Sequence, residues 1–452
     1  MAASPLAALS ASALQRMLLK KEISPTHVAE TCLARIDALN PTLNAIVTIN
    51  ERLLEEAAEL ERQGPQGLLY GVPVGIKDTI EVRGLRTTYG SPLLSDNIPT
   101  RDALLVKRLR RHGALIVGKT NVPEFAVGGT TSNTVFGPTR NPWDTRLTPG
   151  GSTGGGAVAL ASGMIALSDG TDLGGSLRMP AAFCGIVGLR PQPGVVPSAD
   201  VWGRLSVAGG MGRKAEDILL FITAVAARSS DTPRAFDAKR SIRKLQSDML
   251  PEAKIAYCAD VAGIGIDPSI ERVCRKAALA LPAADEVDMD LSDGRRAFAV
   301  LRGYHLLAQH HELLRNVDNL GENLAGNLRS ALKMSATEFA AAEHVRSTIC
   351  ECFREFFRTY SFLLTPCMTV QPFPVELDYP REVAGRAMQS YFDWFAPTSV
   401  LSLTGLPVAC VPCGQDTNGL PVGIQIVGKS EDRVLALAAR IQELFPVGLP
   451  DI

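Results

Sequence analysis

Two glycine-rich turns constrain this chain more than any other feature. One reads Gly150-Gly151-Ser152-Thr153-Gly154-Gly155-Gly156 and the other Leu173-Gly174-Gly175-Ser176. Stretches without side chains let backbone approach backbone, or let several N–H groups converge on one oxygen. They equally suit tight packing of a helix against a strand. Around them, from about residue 70 to 210, glycine and proline are dense and the apolar runs are short. Val72–Ile76 and Leu115–Val117 read as buried strands, Ala157–Gly163 as a small-residue helix, and Met164–Leu167 as the next strand. Short strands alternating with helices predict an α/β sheet covered on both faces.

The flanks have a different texture. Residues 10–65 read as helical: Ser24-Pro25 supplies an N-cap and a first-turn proline, and Val28, Cys32, Ile36 and Leu39 recur at helical spacing. Glu51–Gln63 continues in helical period until Gly64-Pro65 stops it. Residues 211–360 are mostly helical, with one strand at Lys254–Cys258 and a long amphipathic run at Glu338–Tyr360. Phe362–Thr365, Val408–Val411 and Val422–Val427 return to strand, and Glu431–Leu444 closes as helix. Strand material at both ends predicts one large domain over residues 1–452. Its parts are N-terminal helices (1–65), the glycine-rich core (66–210), a helical excursion (255–360), and C-terminal strands and helix (361–452) that complete the sheet.

Charge and cysteine usage exclude several functions. Lys+Arg 46 against Asp+Glu 47 leaves no overall electrostatic footprint for nucleic acid or an anionic membrane. Lys107, Arg108, Arg110 and Arg111 read as the wet face of a helix. No run reaches the length of a membrane span, and Met1–Pro5 lacks a basic leader, so a soluble, cytoplasmic setting is expected. The 9 cysteines are too sparse for a disulfide framework and are expected to be reduced. Cys410-Val-Pro-Cys413 has no second pair or nearby histidines, and Cys350 and Cys352 do not face each other on a helix. Gly113-Ala-Leu-Ile-Val-Gly118-Lys119-Thr120 matches the P-loop pattern in letters. Its four intervening residues are strand-like, however, and Pro123 follows too soon for the helix a phosphate loop needs.

A nucleophilic serine needs a base and an oxyanion site. None of the 6 histidines lies in the two turns. Gly150–Gly154 reads G-x-S-x-G, but Leu147-Thr148-Pro149 is a poor strand for a nucleophile elbow. A lysine replaces histidine where burial holds it neutral. Lys77 follows the apolar run Val72-Pro-Val-Gly-Ile76.

These pieces together resemble the amidase signature family across residues 66–210. The likeness lies in Gly71-Val-Pro-Val-Gly-Ile-Lys77-Asp78, Phe136–Trp143, Thr148–Gly155, Gly170-Thr-Asp-Leu-Gly-Gly-Ser176-Leu-Arg178 and Pro180–Gly185. Weaker likeness continues at Phe362–Pro366 and from Leu403 to Gly428, and the Lys119 segment belongs to the same pattern. The resemblance implies a mixed, twisted central sheet flanked by helices. It implies Ser176 as the acylated nucleophile, Ser152 as a bridging serine after a cis peptide bond, and Lys77 as the base. Backbone amides of Leu173, Gly174, Gly175 and Ser176 match the oxyanion hole, and Asp172 and Arg178 match loop supports. Thr153 stands where a second serine is usual, and Gly156 where a small polar residue is frequent. No metal or cofactor is implied.

The expected activity is hydrolysis of a small-molecule amide. Two alternatives are the glutaminase subunit of a tRNA-dependent amidotransferase and a non-catalytic binding protein on the same fold. Asp200–Gly212 resembles general amidases more. Phe125, Met179, Tyr304, Arg346, Phe373 and Trp394 are candidate substrate contacts. Arg346 is the candidate clamp for a substrate carboxylate, against the plainer reading of a solvated helix-face arginine. A homodimer is left open.

Overall fold

In the computed structural model, which describes residues 5–197, 205–226, 246–248 and 250–452, eleven strands form one mixed sheet. They begin with β1 (Ile46–Ile49), β2 (Pro73–Lys77), β3 (Leu115–Thr120), β4 (Leu167–Asp172), β5 (Val187–Arg190) and β6 (Val207–Gly212). β7 (Ile255–Tyr257), β8 (Ala284–Glu286) and β9 (Phe362–Pro366) follow. After a separate ribbon of β10 (Glu382–Val383) and β11 (Arg386–Ala387) come β12 (Val408–Gln415) and β13 (Pro421–Val427). Across the sheet the order is β1-β3-β2-β4-β6-β5-β12-β13-β9-β7-β8. β2 is parallel to β3 and β4, β7 is parallel to β8 and β9, and the central pairs are antiparallel.

Alternate residues of the strands feed two apolar clusters, one per face, as the two-residue period of a strand requires. Val74, Ile116, Leu364, Ala409 and Val411 join the first, together with the helices Ala215–Val225, Pro268–Leu279 and Glu431–Leu444. Val117, Leu363, Val408 and Cys410 join the second, with Gly154–Ala161, Arg178–Cys184 and Gly294–His310. The chain therefore forms one α/β domain whose mixed central sheet is flanked by helices and takes strands from both ends.

Several sequence expectations are corrected. Residues 10–65 are not wholly helical: Asn44, in the left-handed region at φ 50°, ends the helix Pro25–Leu43, and β1 then pairs antiparallel with β3. The strand expected at Met164–Leu167 starts only at Leu167. The helical excursion contributes two strands, β7 and the edge strand β8, rather than one. The P-loop look-alike is β3 itself, where a Cβ on Gly118 would lie 2.3 Å from Thr48 O. The basic face of Leu104–Arg111 is partly tied down, because Arg110 pairs with Glu56 and Asp102 and Arg108 donates to Val225 O at 2.9 Å. Among the described residues no helix is long and apolar enough to cross a membrane, and the cysteines are free thiols. The sequence readings at residues 1–4 and 198–204 lie outside the described residues.

Candidate active site

Lys77 ends β2, a strand buried along its whole length. Its Nζ donates to Ser152 Oγ at 2.8 Å, Thr153 Oγ1 at 2.9 Å and Thr171 Oγ1 at 2.9 Å. All three acceptors are neutral hydroxyls. Burial therefore dominates the lysine's titration and pulls it from 10.5 down to about 7, against the opposing charges of Asp169 and Asp172. A neutral amine has two donors and one lone pair, so one of these hydroxyls can donate to it instead. Of the serine and the Thr153 hydroxyl, Ser152 is the one that also lines a cavity.

The first glycine turn places Ser152. The Gly151–Ser152 peptide is cis, and Gly150 has φ 75°. Thr131 Oγ1 donates to Gly150 O (2.8 Å) and accepts from Gly154 N (3.1 Å), bracketing the turn. The glycines that follow also serve packing. A Cβ on Gly155 would lie 2.3 Å from Asn121 N, and one on Gly156 would lie 2.4 Å from Ser168 Oγ. The departure at Gly156 thus has a physical counterpart, since Ser168 occupies the space a side chain would need.

The second turn follows β4. Gly175 sits at φ 131°, a conformation side chains disfavour. A Cβ on Gly174 would lie 2.6 Å from Phe298 Cζ. Asp172 holds this turn. It accepts from Gly175 N at 2.9 Å, Leu177 N at 3.2 Å, Arg178 Nε at 3.0 Å and Arg178 Nη2 at 2.9 Å. Burial alone would raise its carboxyl, but Arg178 and then Arg190 overcome this and hold it at about 2. Arg178 reaches on to Gln425 Oε1 (2.7 Å) and Ser402 Oγ (2.7 Å), joining the turn to the C-terminal part of the sheet. Thr398 Oγ1 donates to Gly174 O at 2.6 Å.

Expectation and structure differ at two points here. The Gly175 N–H, expected among the oxyanion donors, is engaged by Asp172 at 2.9 Å. The only hydrogen bond to the Ser152 hydroxyl among the described residues comes from Lys77, so no bond links it to Ser176 in this state. Serine relays of this kind often tighten only with substrate bound.

Half-buried Ser176 and buried Ser152 open on the same cavity of about 610 Å³. Phe125 and Met179, both expected contacts, line it. The other expected contacts do not. Arg346 donates to Leu403 O at 3.1 Å and pairs with Glu343 at 3.5 Å. Tyr304 is mostly exposed and packs on Phe339, with ring centroids 4.6 Å apart. Phe373 and Trp394 pack edge-to-face inside the core at 5.2 Å.

Sequence reasoning missed Phe298, Arg302, Tyr391 and Phe395 in the wall, and Thr171 as the third acceptor from Lys77. It also missed Asp169. Fully buried, Asp169 accepts the Lys77 N–H at 2.7 Å through Oδ1, while its Oδ2 has no hydrogen-bond partner. Burial raises its carboxyl to about 6. A charged residue two positions before Thr171 in an otherwise buried strand was the available signal.

A family model described as Amidase matches residues 27–435. The chain is 32% identical over 461 residues to the acylamidase of Rhodococcus erythropolis, covering 97% of this chain and 96% of that protein. It is 32% identical over 496 residues to one subunit of the glutamyl-tRNA(Gln) amidotransferase of Nitratidesulfovibrio vulgaris (strain DP4), covering 99% of each. The crystal structure of a bacterial aryl acylamidase of the amidase signature family superposes with a TM-score of 0.89 at 26% identity, covering 98% of this chain and 97% of the other. With a matching model across most of its length and relatives that share its whole fold, the chain belongs to the amidase signature family and is an amide-bond hydrolase.

Proposed function

We propose that this chain acts without partner subunits on a small-molecule amide, releasing ammonia or an amine through an acyl-enzyme on Ser176. The observation that carries the reading is the fully buried Lys77 amine, 2.8 Å from Ser152 and near neutrality, beside a cavity that also opens on Ser176. Neutral Lys77 takes the Ser152 proton as Ser152 takes that of Ser176. Ser176 Oγ then bonds to the carbonyl carbon, and the N–H groups of Leu173, Gly174 and Ser176 receive the oxyanion. Collapse breaks the C–N bond, Ser152 protonates the leaving nitrogen, and Lys77 returns the proton to Ser152. Water deacylates the enzyme by the reverse path. Asp172, Arg178 and Thr398 aim the turn, and Thr153 with Thr171 fixes the amine.

Phe125, Met179, Leu306 and Phe395 line much of the cavity, which suits an acyl group with an apolar chain better than one carrying the charged α-amino group of glutamine. The amidotransferase relative, at equal identity, favours a second reading as a glutaminase subunit. Ammonia and amine release by the purified chain separates them, measured on aliphatic, aromatic and acidic amides and on glutamine. Turnover is expected from the chain alone. Ser176→Ala is expected to lose at least about three orders of magnitude, as for other serine nucleophiles, together with labelling by a fluorophosphonate. Near-normal turnover in Ser176→Ala overturns the nucleophile assignment. Turnover of glutamine alone, or only with copurifying subunits, moves the chain to the second reading.

A further inference from the structure

The helix Gly294–His310 crosses the cavity with Phe298, Arg302 and Leu306 on one face, four residues apart, and all three line the wall. Phe298 covers the Ser176 turn at Gly174. Arg302 lies one helical turn further on, about 6 Å along the helix axis. It is only 9% exposed. Its Nη1 donates to Asn327 Oδ1, and its guanidinium sits 5.3 Å from the centre of the Phe392 ring. Among the described residues no carboxylate forms an ion pair with it. Glu312, also in the wall, is highly exposed and pairs with His311 at 3.5 Å. Burial lowers the Arg302 guanidinium to about 10, which leaves it charged at neutral pH.

A buried cation without an anion is costly, and its remaining N–H donors need acceptors. The chain supplies one amide oxygen and one aromatic face. The planar guanidinium has two further edges, matched to a carboxylate. By contrast, Asp172 serves Arg178 and Arg190 and is consumed within the fold. Arg346, which the sequence marked as a carboxylate clamp, is consumed by Leu403 and Glu343.

We propose that Arg302 receives a carboxylate carried by the substrate itself, so that the chain selects amides bearing a carboxylate a few bonds from the scissile carbonyl. This rests on the amidase reading above. The carboxylate can sit on the acyl side, as in monoamides of dicarboxylic acids, or on the amine side, as in N-acyl amino acids. Both present the same anion to the same wall.

The test compares matched pairs: glutaramate and adipamate monoamides against pentanamide and hexanamide, and N-hexanoylglycine against N-hexanoyl-methylamine. The readout is the ratio of kcat/KM within each pair, which cancels any loss of folded enzyme. Wild type should favour the acid of at least one pair by about tenfold to hundredfold, the worth of a charge-assisted hydrogen bond. The pair that shows it tells acyl side from amine side. Arg302→Met should bring that ratio to about one, Arg302→Lys should keep part of it, and Arg346→Ala should leave it intact. A wild-type ratio near one in every pair, or a ratio unchanged in both Arg302 variants, overturns the inference and leaves Arg302 as a packing link to Asn327 and Phe392. In that case turnover of the neutral amides keeps the amidase reading standing. If no member of any pair is cleaved and Ser176 takes no fluorophosphonate, the amidase reading fails and this inference falls with it.

Discussion

The titration of Lys77 is the quantity on which the proposed mechanism turns, and it leaves a trace in stability that Lys77→Met exposes. The native lysine loses its proton near pH 7, while the unfolded chain keeps it to 10.5. Between those values the unfolded state binds more protons, so wild-type stability from this group rises with pH. Each pH unit contributes about 1.4 kcal/mol, and the whole window about 5 kcal/mol. Methionine has no proton to lose and contributes nothing over the same range. At about 2 cal/mol/K per residue, unfolding this chain has an entropy near 1 kcal/mol/K, so 1 kcal/mol moves Tm by about 1 °C. The Tm of Lys77→Met minus that of wild type should therefore fall by roughly 5 °C between pH 7 and pH 10.5. Loss of the amine's hydrogen bonds to Ser152, Thr153 and Thr171 shifts the absolute difference but not its slope. Buried groups such as Cys32, held up at about 12, titrate in both proteins and cancel. The assay is a series of thermal melts of both proteins in matched buffers. A difference that is flat with pH means the native lysine stays protonated at neutrality and cannot serve as base. A difference that grows with pH reverses the sign of the argument altogether.

Two further substitutions probe the carboxylates around the site. Asp169→Asn keeps an acceptor for the Lys77 N–H but removes the charge that most raises the lysine's pKa, one that is ionised above about pH 6. The acid limb of kcat/KM should move to lower pH by on the order of one unit, and a limb that stays or moves upward contradicts the coupling. Asp172→Asn leaves Arg178 and Arg190 buried with a neutral partner and should cost about 3–5 kcal/mol. Because the native Asp172 carboxyl lies at about 2, below its ordinary 3.8, its contribution is complete above pH 3.8 and is lost as pH falls toward 2. The gap in melting temperature should thus be constant above pH 5 and narrow below pH 4. A gap under about 1 °C at pH 7 would falsify the view that this ion pair holds the turn.

Much of the site was legible in the sequence because the features that build it are local. Gly150 and Gly175 take positive φ, and glycine is the residue that tolerates it. The apolar run before Lys77 foretold a buried strand end. Ser24-Pro25 marked the start of the helix that runs Pro25–Leu43, and the period of Glu431–Leu444 marked a helix with those same observed limits. β1 was hidden because four residues between two helices carry too little pattern, and its identity as a strand comes from pairing with β3, about 70 positions away.

What the sequence by itself determined was many of the strands and helices, the glycine turns and the chemical types available at Lys77, Ser152 and Ser176. Tertiary structure alone decided how those types behave. Lys77 is near-neutral because two covered faces of a sheet remove its water, and Asp169 is uncharged below about pH 6 for the same reason. The Gly175 amide is engaged because Asp172 turns back to meet it. Arg302 and Arg346 both sit on helices, and periodicity alone cannot tell which helix face meets the cavity and which meets Leu403. Local steric preference is written along the chain, whereas desolvation and charge pairing depend on which surfaces distant segments bring together.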